Sequence, residues 1–411
     1  MPRHLSRVRV PNAGWLAVVV VVAATSPVMA ASVDEQAADV QRLEAAYAHR
    51  ADDPALQRAL AIATNNYGLE LATAGQLDRA IHHLRRAVQV DTSLVAAHHN
   101  LAQVLSQRAA QLMAARRLRE AQGLIEEALQ HDEERAELWA LLGQVHYESQ
   151  RLALAEQAWR RALTLNPTLR EIERRLAQVT KERPVEQTFR TLPQAQFDIR
   201  SAEALPLRAD EVVREVLLEA YQTVGQEFGH YPSQRLVVLL YTPEQFRELR
   251  QAPEWMVAQY DGKLRVPLVD NPRSAYFRSI VWHEFTHAIV HELSHGQCPV
   301  WLNEGLAEFE GTKQTGRSFA RVQQANQHGE LLSLADLQGH FTDLTDPQRI
   351  ALAYEQSLSI VTYLMDTYGA WRLKRLLKRM GEGTPADEAL MQEFRLTRSR
   401  LEAQWLAWLN R

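Results

Sequence analysis

The chain has 411 residues, a formal charge of −4, 46% hydrophobic residues and a single cysteine. That length exceeds one ordinary core and sets two domains as the expectation. Cys298 alone excludes an intrachain disulfide framework and any cysteine-based metal cluster, leaving it as a small buried hydrophobe. The slightly acidic balance gives no sign of a protein that binds nucleic acid by neutralising phosphates.

Residues 1–30 read as an export signal. Arg3, Arg7 and Arg9 form a positive head, Trp15 to Ala24 an apolar run, and Val28-Met29-Ala30 an A-x-A-like end, so cleavage is expected after Ala30. The run is short for a membrane span, and no other stretch is long and apolar enough for one. The expected location is therefore periplasmic or secreted, with an uncleaved N-terminal anchor as the alternative. No cysteine follows the cleavage point to carry a lipid. Removing three arginines and no acids takes the charge from −4 to −7, which argues against broad adhesion to an anionic membrane.

Residues 31–183 are rich in Ala, Leu, Gln, Arg and Glu, with apolar positions at helical spacing throughout, and predict an all-α region. Ala136 to Leu169 places Trp139, Leu142, Gly143, Ala155, Trp159, Ala162 and Pro167 at the spacings of a 34-residue tetratricopeptide repeat. A preceding unit uses Leu101, Ala102, Ala121, Ile125 and Ala128, with about seven extra residues near Ser106 to Arg117, close to two helical turns. A third uses Tyr67, Gly68, Ala80, Leu84 and Ala87. Residues 32–60 are expected to form a capping helix or a degenerate half repeat at one end, and Thr168 to Glu182 the opposite cap. Such a stack offers a concave surface for a partner protein or peptide, or it acts as a spacer.

Beyond Arg183-Pro184, residues 184–411 change character. Strands are expected at Gln196 to Arg200, Arg235 to Tyr241 and Lys263 to Val269, alternating with helices at Ala209 to Phe228 and Pro243 to Arg250. The turn Tyr260-Asp261-Gly262-Lys263 leads into a strand that is either the sheet edge that holds an extended substrate or one arm of an ordinary hairpin.

Next comes His283-Glu284-Phe285-Thr286-His287, between the apolar stretches 279–282 and 288–290. On a helix, this HExxH pattern puts two imidazoles one turn apart on one face, able to reach one metal ion, with a carboxylate between them to act on water. Two histidines and a glutamate are costly in a buried helix without a metal or full hydrogen bonding. Glu304, in Asn303-Glu304-Gly305-Leu306-Ala307-Glu308, follows His287 by seventeen residues across a Gly296 and Pro299 turn. It can return on an antiparallel helix as third ligand. Two His and one Glu leave the fourth zinc position open, the catalytic arrangement. A second HExxH, His291-Glu292-Leu293-Ser294-His295, overlaps the same helix. Only eight residues separate His295 from Glu304, too few for the return, so the first pair is chosen and His291 and His295 are read as partly solvated helix residues.

HEFTH followed by WLNEGLAE resembles the gluzincin, or peptidase MA-like, zinc metallopeptidases over residues 190 to 411. The resemblance implies an α+β zincin-like domain after the repeats, with Zn2+ held by His283, His287 and Glu304 and with Glu284 as general base. It also implies that Glu308 orients a zinc histidine, the alternative being a solvated acid. Ala353-Tyr354-Glu355-Gln356-Ser357 resembles the segment that follows the zinc motifs in exported members, which makes Tyr354 the candidate oxyanion donor; its alternative is a core tyrosine. No aminopeptidase-type motif precedes the zinc helix. The expectation is an exported zinc endopeptidase acting on a peptide or protein substrate, without nucleic acid. The alternative is a non-catalytic envelope adaptor with a relic or structural metal domain.

Overall fold

Small residues facing large ones set the helix pairs of the N-terminal unit. A computed structural model describes residues 33–193, 195–250, 258–339, 341, 344 and 346–411, so the stretch 1–30 expected to be an export signal lies outside the described residues. The chain divides into two compact units, one closing at Pro184 and the other running from Val185 to Arg411.

The first unit contains α1 (Val33–His49), α2 (Pro54–Thr73), α3 (Leu77–Val90), α4 (Val95–Ala114), α5 (Leu118–His131), α6 (Ala136–Glu148), α7 (Leu152–Leu165) and most of α8 (Arg170–Glu186). Asp53 starts α2 by accepting from the Ala55 and Leu56 amides, with Pro54 in the first turn where its missing N–H costs nothing. In the pair α6/α7, a Cβ on Gly143 would lie 2.3 Å from Trp159 Cδ1. Trp159 is fully buried and its indole N–H donates to the Ala140 carbonyl at 3.1 Å. Gly68 does the same in α2/α3, where a Cβ would meet Leu84 Cγ at 2.7 Å.

The extended first helix is present in α4, which has 20 residues against 13 in α6. Two expectations differ from what is found. α2 also has 20 residues, so residues 54–60 open a full-length helix and are neither a separate capping helix nor a half repeat. Their buried positions Leu60, Ala61, Thr64, Gly68 and Leu71 form one continuous stripe, which leaves no place for a break. At the other end, α8 runs through Pro184 to Glu186.

The second unit is built on a five-stranded sheet in the order β1-β2-β3-β5-β4, with β1 (Arg190–Pro193), β2 (Phe197–Ser201), β3 (Leu236–Tyr241), β4 (Gln259–Tyr260) and β5 (Leu264–Pro267). β2, β3 and β5 are mutually parallel, while β1 and β4 are antiparallel flanks. All six residues of β3 are buried, as its unbroken apolar run requires of a central strand. The helix α9 (Leu207–Phe228) connects β2 to β3, and α10 (Pro243–Arg250) follows β3. The strand after the Tyr260–Lys263 turn is not the sheet edge. β5 lies between β3 and β4, and the two-residue β4 is the edge.

The remaining helices are α11 (Ala275–Ser294), α12 (Val300–Gly311), α13 (Ala320–His328), α14 (Pro347–Gly381), α15 (Ala386–Phe394) and α16 (Arg398–Leu409). α14 is kinked at Gly369, whose φ of 80° needs no Cβ. α11 is apolar nearly all round because α9, α12 and α14 all pack on it. No helix among the described residues is long and apolar enough to cross a membrane. A buried ion pair braces the β4–β5 hairpin. Arg265 Nη1 donates to Glu186 Oε1 at 2.7 Å and its Nε donates to Asp261 at 3.1 Å, while the Tyr241 hydroxyl donates to the same Glu186 oxygen at 2.6 Å.

Trp159→Ala should destabilise the repeat unit by about 3–5 kcal/mol through the cavity it leaves. Gly143→Ala should cost about 1–3 kcal/mol by overpacking the same contact. Both are read from the urea midpoint of the helical transition. An unmoved midpoint in Trp159→Ala would mean that the α6/α7 pair does not depend on this contact.

Candidate metal centre

Ser274 opens α11 by accepting from the Phe277 amide at 3.1 Å, and His295, in the left-handed region at φ 46°, closes it. His283 and His287 sit one turn apart with their Nε2 atoms 3.1 Å from each other. The chain turns at Gly296, whose φ is 74°, and starts α12 directly after Pro299. α12 runs antiparallel to α11, since Glu304 meets both histidines, Glu308 meets His283, and Gly311 lies against Ser279. Glu304 Oε2 is 3.5 Å from His283 Nε2 and 3.6 Å from His287 Nε2.

Two glycines permit this approach. A Cβ on Gly305 would stand 2.5 Å from the Ser357 carbonyl oxygen of α14, and one on Gly311 would stand 2.9 Å from the Ser279 carbonyl oxygen of α11. The helix that carries Glu304 is therefore held between two backbones.

The other ring nitrogens are also engaged. His287 Nδ1 donates to Asn303 Oδ1 at 3.0 Å, and His283 Nδ1 lies 3.3 Å from Glu308 Oε1. In neutral imidazoles these contacts take the N–H of each ring, so both Nε2 atoms present lone pairs. Two lone pairs and a carboxylate oxygen then face one another. Their separations of 3.1, 3.5 and 3.6 Å bracket the edge of about 3.3 Å expected of a zinc tetrahedron with ligand bonds near 2.0–2.1 Å. A nitrogen–nitrogen–carboxylate donor set of this size fits zinc.

The electrostatics point the same way. Burial works against charge on His283, but its hydrogen bonds to Glu304 and Glu308 outweigh that, and its pKa lies well above the ordinary 6.5. A proton takes the positive charge that the arrangement calls for. Burial lowers the pKa of His287, against the pull of Glu304.

Glu284 is buried, and its Oε2 has no hydrogen-bond partner among the described residues. One of its carboxylate oxygens and one nitrogen of each imidazole all lie within 4.8 Å of one another, so His283, Glu284 and His287 also form a group that could hold a metal ion. Burial first, opposed by His283 and reinforced by Glu304, Asp261 and Glu308, pushes its pKa up to about 8. Tyr354, mostly buried, packs its ring edge-on against Phe341 at 5.1 Å. Burial first, then the charges of Glu304, Glu284 and Glu308, raise its phenol above the ordinary range and keep it protonated. Cys298 is half-buried against the core, and burial together with Glu304 raises its thiol.

The second HExxH is used differently. His295 Nδ1 donates to the Gly381 carbonyl at 2.7 Å from an exposed cap position, and Glu292 accepts from His230 at 3.0 Å and from the Ser233 amide at 3.2 Å. His291 is half-buried, edge-on to Tyr260 at 6.1 Å. Sequence reasoning missed Asn303 and Asp261. Asn303 was accessible in principle, since a liganding histidine needs an acceptor for its other nitrogen and Asn303 adjoins Glu304.

Residues 251–411 match the model of the Peptidase MA superfamily, and residues 136–169 match that of the tetratricopeptide repeat. In chain order, helices of the tetratricopeptide-repeat type are followed by an α+β unit that carries the Peptidase MA match. No curated protein matches the sequence. Among solved structures, the first repeat domain of Spaghetti bound to an HSP90 peptide is 17% identical, covering 30% of this chain and 93% of its own, with a TM-score of 0.24. YrrB, a repeat protein with an unusual peptide-binding site, is 21% identical over 36% of this chain and 69% of its own, at 0.26. MamA from Desulfovibrio magneticus is 17% identical over 36% and 77%, at 0.24.

The raised acid at Glu284 has a sign that can be measured in chelator-treated protein. Above pH 4.5 the unfolded chain ionises this group while the folded one keeps it neutral, so the folded state loses stability as pH climbs to about 8. Glu284→Gln has no such loss. Its melting temperature should rise relative to the parent between pH 5 and 8, about the span set by the two values. A constant difference across that range would mean the acid is not held neutral.

Proposed function

We propose that the protein is an exported zinc-dependent endopeptidase whose repeats hold a partner or substrate protein. The observation that carries the reading is the triangle of two imidazole Nε2 atoms and one Glu304 oxygen, with both Nδ1 atoms already engaged. His283, His287 and Glu304 would hold the ion, and Asn303 and Glu308 would orient the two rings. Zinc, when bound, supplies Lewis acidity toward the scissile carbonyl and toward water.

The remaining roles belong to the chain. Glu284 takes a proton from the attacking water and returns it to the leaving amine, a task that suits a carboxylate made more basic by burial. Tyr354, kept protonated beside three carboxylates, donates to the oxyanion. The absence of an aminopeptidase-type motif ahead of α11 favours internal bonds over terminal ones. The basic head and apolar run of residues 1–30 support export, and the stacked helices support capture of a protein partner.

Purified protein should hold one zinc per chain and cleave members of a peptide library. Glu284→Gln should lower kcat/KM by about 100- to 10,000-fold with zinc content unchanged. Zinc-free protein after reconstitution would overturn the reading. Full function of the variant in its host would favour the adaptor.

Asn303→Ala should weaken zinc binding by about 10- to 100-fold through loss of the His287 Nδ1 acceptor. Competition with a chromogenic chelator measures it, and an unchanged constant would remove Asn303 from the site.

A further inference from the structure

The second half of α14 combines features that the peptidase site does not use. Past the Gly369 kink, residues 371–379 contain Arg372, Lys374, Arg375, Lys378 and Arg379 and no acid. Leu373, Leu376, Leu377 and Met380 are buried in the core, so the cations occupy the outward part of the helix. Trp371 stands at its start, 63% exposed, with the Arg375 guanidinium 4.8 Å from the indole centroid. From residue 370 to the C-terminus there are nine Lys and Arg against five Asp and Glu, although the whole chain is at −4.

Few of these charges are neutralised. Arg375 and Arg379 share the single carboxylate of Glu393. Lys374 donates to the Gly229 carbonyl at 2.6 Å and Arg372 to the Glu393 carbonyl at 3.4 Å, contacts that position the cations without cancelling them. Lys378 is exposed, with no ion pair among the described residues. Two residues beyond Gly229, Tyr231 is another large aromatic left 44% exposed.

We propose that this stripe, from Trp371 to Lys378, docks the protein on an anionic lipid bilayer. An indole beside several cations on a convex helix face suits the headgroup region, where tryptophan partitions to the boundary and each lysine or arginine is drawn to the negative surface. A protein partner is less well matched. It would call for a desolvated apolar centre in which several side chains pack, and here one exposed indole is surrounded by charge. The attraction is local, since the rest of the chain is acidic on balance, so the stripe also sets which face meets the lipid. This reading is independent of metal binding and of catalysis.

The test is flotation of the full protein with vesicles of phosphatidylcholine alone or mixed with phosphatidylglycerol. The protein should float with the mixed vesicles and stay behind with the neutral ones, and added salt should release it. Lys378→Glu should weaken the partition by about tenfold or more, and Trp371→Ser should weaken it independently. Both positions are exposed, so circular dichroism and peptide cleavage should match the parent. Equal partition to the two vesicle types, no flotation with either, or unchanged flotation of the double variant would each overturn the proposal. Binding to an acidic protein without binding to the mixed vesicles would overturn it in favour of a protein partner.

Discussion

Two imidazole lone pairs and a carboxylate oxygen repel one another at 3.1–3.6 Å unless positive charge lies among them, and the second unit is built to hold them there. Nothing in α11 or α12 alone favours that approach. It is imposed by backbone contacts: α12 is wedged where Gly305 meets the Ser357 carbonyl and Gly311 meets the Ser279 carbonyl, so Glu304 cannot draw back without unpacking α14. The apolar surface around α11, with Phe277, Val281, Phe285 and Ile289 buried, supplies the compensating stability. Repulsion held in place in this way favours positive charge at the triangle, as the raised pKa of His283 shows.

The carboxylates around the triangle are differentiated by their surroundings. Glu304 and Glu308 make direct contacts with the histidines and remain partly open to solvent. Glu284 has neither advantage: it is buried, one of its oxygens has no partner among the described residues, and its pKa is pushed up to about 8. One acid is thereby suited to hold charge and the other to exchange a proton, a division that environment and not residue type creates. Arg265 contributes at a distance. Its grip on Asp261 and Glu186 fixes the hairpin whose turn raises the Glu284 pKa still further.

Where one residue type forces one geometry, the amino-acid sequence was a sufficient guide. Gly143 opposite Trp159 announced a tight helix pair, and the unbroken RLVVLLY run announced a central strand. The sixteen residues between His287 and Glu304 were enough to foresee an antiparallel return. What escaped was set by neighbours. β1 and β4 are four and two residues long and exist only through pairing with β2 and β5, so no local pattern marks them. The length of α2 was hidden because Asp53-Pro54 starts a helix where the repeat pattern predicted a cap. Asn303 has no periodic signature, and its role appears only once the His287 Nδ1 needs an acceptor.

The two HExxH patterns of α11 separate motif from site. Both have the same residue types at the same spacing on one helix, and both include an acid able to serve as base. The difference lies in how α11 ends. His295 takes a left-handed conformation and gives its Nδ1 proton to the Gly381 carbonyl, so it caps the helix instead of continuing the face of His291. Glu292 is spent on His230 and the Ser233 amide. With the helix over and the turn begun, no carboxylate can return to that pair. His283 and His287 lie two turns further back, where α12 has the length to bring Glu304 alongside. Which of the two histidine pairs gains a facing carboxylate is therefore decided by the position of a helix terminus.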